Sequence, residues 1–340
     1  MLQFRCKNLH LEIILGIQKI ADIANVSIAT VSRVLNSPEV VKESTREKVL
    51  KILKEIGYEK YNNQFIPSVH KDIIGIVIPD VINSFFARVV EGIMKQAKKL
   101  DLPVTLYLTH DDPAEELNAV ECLIKQQVKG LVLIRARNQE RESVKTIQKL
   151  NKNSLPFVLV DRDVSLTNNS GVFLSNANAV YDAVNLLVND GYKRIAIING
   201  PRDNMNAIQR LDGYKQALLK NNIDFDESLV YRGNFSIESG LEKTSDILAN
   251  KVLPDAIFSC ANQITIGCLR AMNAKKLKVG KDLKLFSFNK LSASHIDNFD
   301  FSYIEHPVTY MGERSVTILN NKLVGTKGLI REIMDYKINY

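Results

Sequence analysis

The sequence has no apolar stretch approaching the roughly 20 residues that a membrane-spanning helix needs. Four cysteines (Cys6, Cys122, Cys260 and Cys268) occur without a Cys-x-x-Cys pair, and the five histidines lack the spacing of a zinc site. We therefore expect reduced, structural thiols and no metal centre. Residues 1–15 lack the small-residue cleavage site of a secretory signal, so we interpret them as a cytoplasmic extension.

Sequence motifs that commonly carry catalysis are also missing. There is no Gly-x-x-x-x-Gly-Lys, no His-Glu-x-x-His, no Gly-x-Ser-x-Gly and no convincing Gly-x-Gly-x-x-Gly. We therefore expect no enzymatic activity and no cofactor. The net charge of +7 is compatible with nucleic-acid binding but does not establish it.

Residues 17–57 have the pattern of three short helices. Apolar positions at Ile17, Ile20, Ala21 and Ala24 follow the 3.6-residue period of a helix with one buried face. The tripeptide at 25–27 then interrupts this period and predicts a tight turn. Its last residue, a serine, can cap the next helix through its side-chain oxygen.

The second predicted helix has two contrasting faces. Its buried side consists of Val31, Val34 and Leu35. The opposite side has small and polar residues with one arginine, and an isoleucine at its leading end: Ile28, Ala29, Ser32, Arg33 and Asn36. Such a face suits the DNA major groove, where arginine pairs with guanine and small apolar groups contact the thymine methyl.

The third predicted helix completes one small core through Val49, Ile52, Leu53 and Ile56. Ser44 precedes Glu47 by three residues, which predicts a capping box, and Gly57 predicts the end of the helix. From these residues alone, a helical bundle with no DNA role remains an alternative to a helix-turn-helix.

Two segments of this region, IADIANVSIATVSRVLN and VVKESTREKVLKILKEIGY, closely resemble the head of the LacI-type (lactose-repressor-like) bacterial transcription regulators. The resemblance implies that the second helix enters the major groove. It also implies base-edge contacts from Ile28, Ala29 and Arg33, and DNA-backbone contacts from Thr30, Ser32 and Asn36.

From Ile73 onward, short apolar runs alternate with amphipathic runs in a βαβ rhythm. This rhythm predicts an α/β fold with parallel sheets covered by helices. A second round starts at GVFLS, and an amphipathic helix over 311–319 would cross back to the first lobe. The resemblance extends to this body, for which it implies a two-lobed, periplasmic-binding-protein-like architecture.

We therefore predict the following domains: an extension over 1–15, a helix-turn-helix domain over 16–60, a hinge over 61–72, and a two-lobed domain over 73–340, with lobe one at about 73–172 and 305–335 and lobe two at about 173–304. In the resembled family, many hinges form a helix that pushes a leucine into the minor groove. Pro67 stands about where that leucine would be, so either Phe65 or Ile66 replaces it or the wedge is absent.

Ligands of open parallel sheets bind at the carboxyl ends of the strands. On lobe one this rule nominates Asp80, Asn83, Phe85, Phe86, Asp161 and Arg162. The two phenylalanines either stack on a ligand ring or pack under the start of a helix. Asp161 and Arg162 either contact a ligand or form a structural ion pair.

The segment QRLDGYKQAL resembles the family's Arg-x-x-Gly-aromatic helix, which implies that Arg210 binds a ligand in the cleft. The alternative is a surface arginine paired with Asp212 or Asp203. Elsewhere the chain departs from the family: Ser84 replaces a common Pro, Asn262 and Asn289 stand in segments where the family has acidic residues, and His306 replaces Gln. We interpret His306 as a surface histidine, with a protonation sensor as the alternative.

Together with Arg162 and Arg210, Lys290 suggests an anionic or phosphorylated, sugar-like effector. The predicted effector residues are Asp80, Phe85, Phe86, Arg162, Arg210, Asn262 and Asn289. We predict a cytoplasmic transcriptional repressor that binds a near-palindromic operator as a homodimer, modulated by an effector in the inter-lobe cleft. Alternatives are a regulator whose cleft has lost its effector and, less favoured, a solute-binding protein.

Overall fold

The structure is a computed structural model that describes residues 18–36, 38–55, 60–61, 64–65, 72–136, 140–164, 168–291 and 301–340. The chain divides into two compact units, Met1–Lys71 and Asp72–Tyr340. Each unit has its own arrangement of helices and strands.

In its described residues the first unit has three α-helices, α1 (18–24), α2 (Ile28–Asn36) and α3 (Glu43–Glu55), and a 3-10 helix over Pro38–Val40. They enclose an apolar core of Ile20, Ala21, Ala24, Val31, Val34, Leu35, Val49, Ile52 and Leu53. These are the core positions that the helical period predicts. Ile17, Ile56 and Gly57 lie outside the described residues.

The turn between α1 and α2 forms as predicted, with Asn25 in the left-handed region at a φ of 50°. Ser27 Oγ accepts a hydrogen bond from the Thr30 N–H at 3.1 Å, which caps α2. The predicted capping box of α3 is wrong. Because α3 begins at Glu43, Ser44 lies within the first turn, and the Lys42 carbonyl accepts bonds from the N–H groups of Thr45 and Arg46.

The linker contributes two short strands, β1 (Lys60–Tyr61) and β2 (Gln64–Phe65), which pair antiparallel. This part of the linker is therefore extended rather than helical. Ile66 and Pro67, on which the predicted wedge depends, lie outside the described residues.

The second unit contains two six-stranded sheets. The first sheet is parallel throughout, in the order β13-β7-β6-β5-β3-β4. Its strands are β3 (Ile74–Ile78), β4 (Val104–Leu108), β5 (Gly130–Leu133), β6 (Phe157–Val160), β7 (Gly171–Leu174) and β13 (Arg331–Met334). We call the part of the body built on this sheet lobe one.

The second sheet has the order β14-β12-β11-β10-β8-β9 and is parallel except for β14. Its strands are β8 (Ile195–Asn199), β9 (Val230–Arg232), β10 (Ala256–Ser259), β11 (Lys284–Ser287), β12 (Ser302–Glu305) and β14 (Lys337–Asn339). The part built on this sheet is lobe two.

The helices of the body are α4 (Ser84–Lys99), α5 (Pro113–Lys125), α6 (Glu140–Lys152), α7 (Asn176–Asn189), α8 (Met205–Lys220), α9 (Ile237–Leu248), α10 (Asn262–Ala274) and α11 (Val308–Leu323). Helix α7 packs on α8 in lobe two, whereas α11 packs on α4 and the sheet of lobe one. Among the described residues, no helix is both long and apolar enough to span a bilayer.

The fold class is confirmed: a helical head and a two-sheet α/β body. One element differs from prediction, because GVFLS forms β7 and pairs with β6 and β13 in the first sheet. The chain then passes between the lobes three times, from β7 to α7, from β12 to α11 and from β13 to β14. Parallel pairing joins strands that are distant in sequence, so the local rhythm could not assign β7 to a lobe.

Helices α4 and α11 cross at two glycines, Gly92 and Gly312. A Cβ atom on Gly92 would lie 1.8 Å from the Thr309 carbonyl oxygen, and one on Gly312 would lie 2.1 Å from the Val89 carbonyl oxygen. No side chain fits in this space, so the backbones of the two helices are in direct contact.

We expect Gly92→Ala to lower the free energy of unfolding of the body by about 3 kcal/mol, because the added methyl group must push the helices apart. Urea denaturation followed by circular dichroism measures this change. The matched control is Met94→Ala, on the same helix at an exposed position, which should change stability by only about 0.5 kcal/mol. Equal losses in the two variants would contradict the close crossing.

Candidate functional site

The outward face of α2 presents the residues that the sequence nominates for DNA contact. Ile28, Ala29 and Arg33 are exposed, and Thr30 and Ser32 are half-buried. The Thr30 hydroxyl lies 2.8 Å from Ser27 Oγ, so it takes part in the helix cap. The remaining nominee, Asn36, is the last residue of α2.

The second candidate site is a cavity of about 360 Å³ between the two lobes. All seven residues predicted to bind the effector line it: Asp80, Phe85, Phe86, Arg162, Arg210, Asn262 and Asn289. They follow the carboxyl ends of β3, β6 and β11 or lie in α4, α8 and α10. Strand order therefore brings together side chains that are more than 200 residues apart in sequence, as for Asp80 and Asn289.

Arg210 is only 6% exposed. Its Nε donates to Asn176 Oδ1 at 2.9 Å, its Nη1 donates to the Cys260 carbonyl at 2.5 Å, and its guanidinium lies 3.8 Å from the centre of the Phe288 ring. The alternative of a surface arginine paired with Asp212 or Asp203 is therefore wrong. Two of its five N–H donors make these bonds, and the side chain borders the cavity.

Asp161 is the buried acidic group of the cavity. Burial raises the pKa of its carboxyl group, while the positive charges of Arg210 and Arg162 and a hydrogen bond from Asn206 oppose the shift. Its backbone adopts a left-handed φ of 63° directly after β6. Such a φ is uncommon for a residue with a Cβ atom, and it occurs here where Asp161 borders the cavity.

Arg162 is not paired with its neighbour Asp161, as the structural alternative supposed. Its Nη1 donates to Asp111 Oδ1 at 2.5 Å and to the Arg135 carbonyl at 2.6 Å. The guanidinium also lies 5.4 Å from the centre of the Phe86 ring. Much of its positive charge is therefore compensated within lobe one.

Phe85 and Phe86 meet edge to face, with ring centres 5.6 Å apart. Phe86 is buried in the core, whereas Phe85 is half-buried against it. Packing in the core therefore accounts for most of the contacts of Phe86. The two residues also border the cavity, so packing and ligand contact are compatible for this pair.

The expectation that Lys290 adds positive charge to the cavity is wrong. Its Nζ donates to Glu305 Oε1 at 2.8 Å, and Lys290 is absent from the cavity lining. Among the described residues, the lining contains two arginines and four acidic side chains: Asp80, Asp111, Asp161 and Glu238. An anionic ligand would therefore meet more acidic than basic side chains in this part of the lining.

His306 is not a surface histidine, because it is only 5% exposed. Its Nε2 lies 3.1 Å from the Phe288 carbonyl oxygen, and the centres of the two rings are 4.8 Å apart. Among the described residues, its Nδ1 has no hydrogen-bond partner. Burial, assisted by the charge of Arg210, lowers the pKa of His306 to about 3. The ring is therefore neutral at physiological pH and sits at the crossover from β12 to α11.

Sequence reasoning missed several residues of the cavity. They are Ile82, Asp111, Asn204, Asn206, Phe235, Ser236, Ile237, Glu238, Ala261 and Gln263. Many follow the ends of β4, β8 and β9, so the strand-end rule, applied to every strand, would have found them. In the described parts of the chain, no group of three or more His, Cys, Asp or Glu side chains has an arrangement that could hold a metal ion.

Comparisons with known proteins cover both units. Residues 16–60 match the family "Bacterial regulatory proteins, lacI family", and residues 74–301 match "Periplasmic binding protein domain". The chain is 30% identical over 319 residues to the HTH-type transcriptional regulator RegA of Clostridium saccharobutylicum, covering 92% of this chain and 94% of RegA.

Two further comparisons extend over nearly the whole chain. Catabolite control protein A of Priestia megaterium is 27% identical over 324 residues, covering 95% of each protein. A crystal structure of the Lac repressor dimer bound to operator and the anti-inducer ONPF superposes with a TM-score of 0.72 at 23% identity, covering 94% of this chain and 96% of that one. At that identity the structural match supports a shared fold.

Because the pKa of His306 falls from 6.5 to about 3 on folding, the unfolded chain binds an extra proton between these values. The stability of the body should therefore fall as the pH drops from 6.5 towards 3, by about 1.4 kcal/mol per pH unit from this group. We expect His306→Gln to lose less stability on acidification than the wild type, as measured by urea denaturation at a series of pH values.

The matched control is His110→Gln, since His110 is exposed and lies outside the cavity lining. This variant should keep the wild-type dependence on pH. If His306→Gln also keeps the wild-type dependence, then His306 is not the buried group that destabilises the body at low pH.

Proposed function

This chain belongs to the LacI family of bacterial regulatory proteins and is a DNA-binding transcriptional regulator, and we propose that it represses transcription as a homodimer controlled by a small molecule in its inter-lobe cavity. We further propose that it acts in the cytoplasm, where bacterial DNA lies, and has no catalytic activity of its own. The proposal that a small molecule controls the protein rests on one observation above all. The side chains that border the cavity come from the strand ends of both lobes.

For the head, we propose that α2 lies in the major groove. Exposed Ile28, Ala29 and Arg33 would contact base edges, and Thr30, Ser32 and Asn36 would contact the DNA backbone. A single α2 reads only a few base pairs. Two copies in a dimer would read half-sites about one helical turn apart in a near-palindromic operator.

For the body, we propose a neutral ligand that carries several hydroxyl groups on a ring. Asn206, Asn262 and Asn289 offer neutral hydrogen-bonding groups, and Phe85 and Phe235 offer ring faces at the border of the cavity. The remaining N–H donors of Arg210 would bind one hydroxyl group of the ligand. The four carboxylates of the lining favour a neutral ligand over the anionic effector that the sequence suggests.

The link between the two sites would be allosteric. A ligand that contacts both lobes changes their relative orientation, and a dimer converts this change into a different spacing of its two heads. Coupling free energies of this kind are about 1–3 kcal/mol, corresponding to a change of about 5- to 150-fold in operator affinity.

The DNA proposal predicts that Arg33→Ala weakens binding to the preferred operator by about 1–3 kcal/mol and relaxes base preference at one position. Selection from a random duplex pool with the purified chain identifies the operator, and fluorescence anisotropy measures affinity. Arg202→Ala is the control, because it removes the same charge from an exposed site in the body. An equal loss on all sequences would make Arg33 a phosphate contact.

The effector proposal predicts that neutral mono- or disaccharides bind at least about tenfold more tightly than their phosphate esters, since a phosphate would meet the carboxylates of the cavity. Isothermal titration calorimetry with a panel of such pairs measures this ratio. Arg210→Lys should weaken binding of the preferred sugar about tenfold or more, because lysine lacks the planar fork of donors.

Lys290→Ala serves as the control, because Lys290 lies outside the lining and should leave the affinity unchanged. Tighter binding of the phosphate ester, or a large loss in Lys290→Ala, would instead support the anionic effector.

A further inference from the structure

The two lobes are joined by a direct contact at the border of the cavity. Asn262, the first residue of α10 in lobe two, donates its Nδ2 to Asn83 Oδ1 at 2.7 Å and to Ser84 Oγ at 3.2 Å. Both acceptors lie in lobe one, at the start of α4. Asn262 is itself buried, whereas Asn83 and Ser84 are half-buried, so these bonds are partly shielded from water.

The geometry of lobe one fixes which partner donates. Asn83 Oδ1 also accepts a bond from the Phe85 N–H at 3.0 Å and thereby caps α4. The Asn83 N–H donates to Asp80 Oδ1 at 2.6 Å, which holds the residue in place. Because Asn83 presents an oxygen to lobe two, the partner residue must supply N–H groups.

An aspartate at position 262 cannot play this role. Its carboxylate has no hydrogen to donate and would place negative charge against the Asn83 carbonyl oxygen.

A second cross-lobe bond lies at the cavity. Asn206 Nδ2 in lobe two donates to Asp161 Oδ1 in lobe one at 3.3 Å. Two asparagine side chains of lobe two thus donate to oxygen atoms of lobe one.

We propose that Asn262, with Asn83 and Ser84, forms a latch that holds the lobes in their closed arrangement through bonds of the protein itself. Closure then does not require a ligand to bridge the lobes. An effector that takes the N–H groups of Asn262 must displace Asn83 and Ser84, and so it acts by competing with the latch. The latch operates in the protein alone, whatever the chemistry of the effector.

The distance between the lobes in the free, full-length protein tests this proposal. In a Cys6→Ser background, one spin label is attached to the exposed Cys122 on α5 of lobe one. A second label is attached to a cysteine introduced by Glu242→Cys, at an exposed position on α9 of lobe two. Cys260 and Cys268 are buried and should not react. Dilution with unlabelled chain ensures that each assembly carries one labelled copy, and double electron–electron resonance then gives the distance distribution.

We expect one dominant, short distance in the otherwise unmodified protein. Asn262→Asp should add a longer distance and lower the ratio of closed to open molecules by about tenfold, because the bond to Asn83 is lost and the carboxylate faces the Asn83 carbonyl oxygen. Ser84→Ala should lower that ratio by about threefold, whereas Ser84→Thr, which keeps the hydroxyl group, should restore it. Asn273→Ala, at an exposed position on the same helix and outside the cavity lining, should leave the distribution unchanged.

Circular dichroism establishes that each variant is folded before its distances are compared. If Asn262→Asp does not fold, the Ser84→Ala and Ser84→Thr pair decides the question. A latch is refuted if the latch variants keep the starting distance distribution, or if the protein without latch substitutions is mostly open.

Discussion

The cleft depends on compensating one buried positive charge, that of Arg210. A guanidinium removed from water is costly unless hydrogen bonds and opposite charge compensate for it. Here the Cys260 carbonyl and the Asn176 side chain accept its bonds, Phe288 stacks on it, and Asp161 supplies the opposite charge. Asp161 comes from lobe one, whereas the arginine lies in lobe two, so satisfying this charge also favours bringing the lobes together.

The same requirement explains the neutral groups around the arginine. A protonated His306 behind Phe288 would place a second positive charge near the guanidinium, and burial together with that neighbour keeps the imidazole neutral. Acidic side chains outnumber the arginines among the described residues of the cavity lining, and this distribution is the basis for the proposed neutral, hydroxyl-bearing ligand.

The sequence predicted those features that depend on the periodicity of apolar residues within a single helix or strand. The core of the head was predictable because Ile20, Val31 and Val49 each fall on a helical face. The rule that ligands bind at strand ends found Asp80 and Arg162, whereas Arg210 followed from the family resemblance. Sequence reasoning failed for pairings that only the fold creates. Lys290 meets Glu305 from a neighbouring strand, and Asn262 meets Asn83 from the other lobe, 179 residues away in sequence. The burial of His306 was likewise not visible locally.

The path of the chain between the lobes has a mechanical consequence. The backbone passes from one lobe to the other between β7 and α7, between β12 and α11, and between β13 and β14. Three backbone segments therefore connect the lobes at their boundary. Parallel tethers of this kind allow bending about a shared axis but resist sliding or twisting of one half past the other. A protease that cut any single tether would leave the halves joined by two others, so the regulator would retain its hinge after such damage.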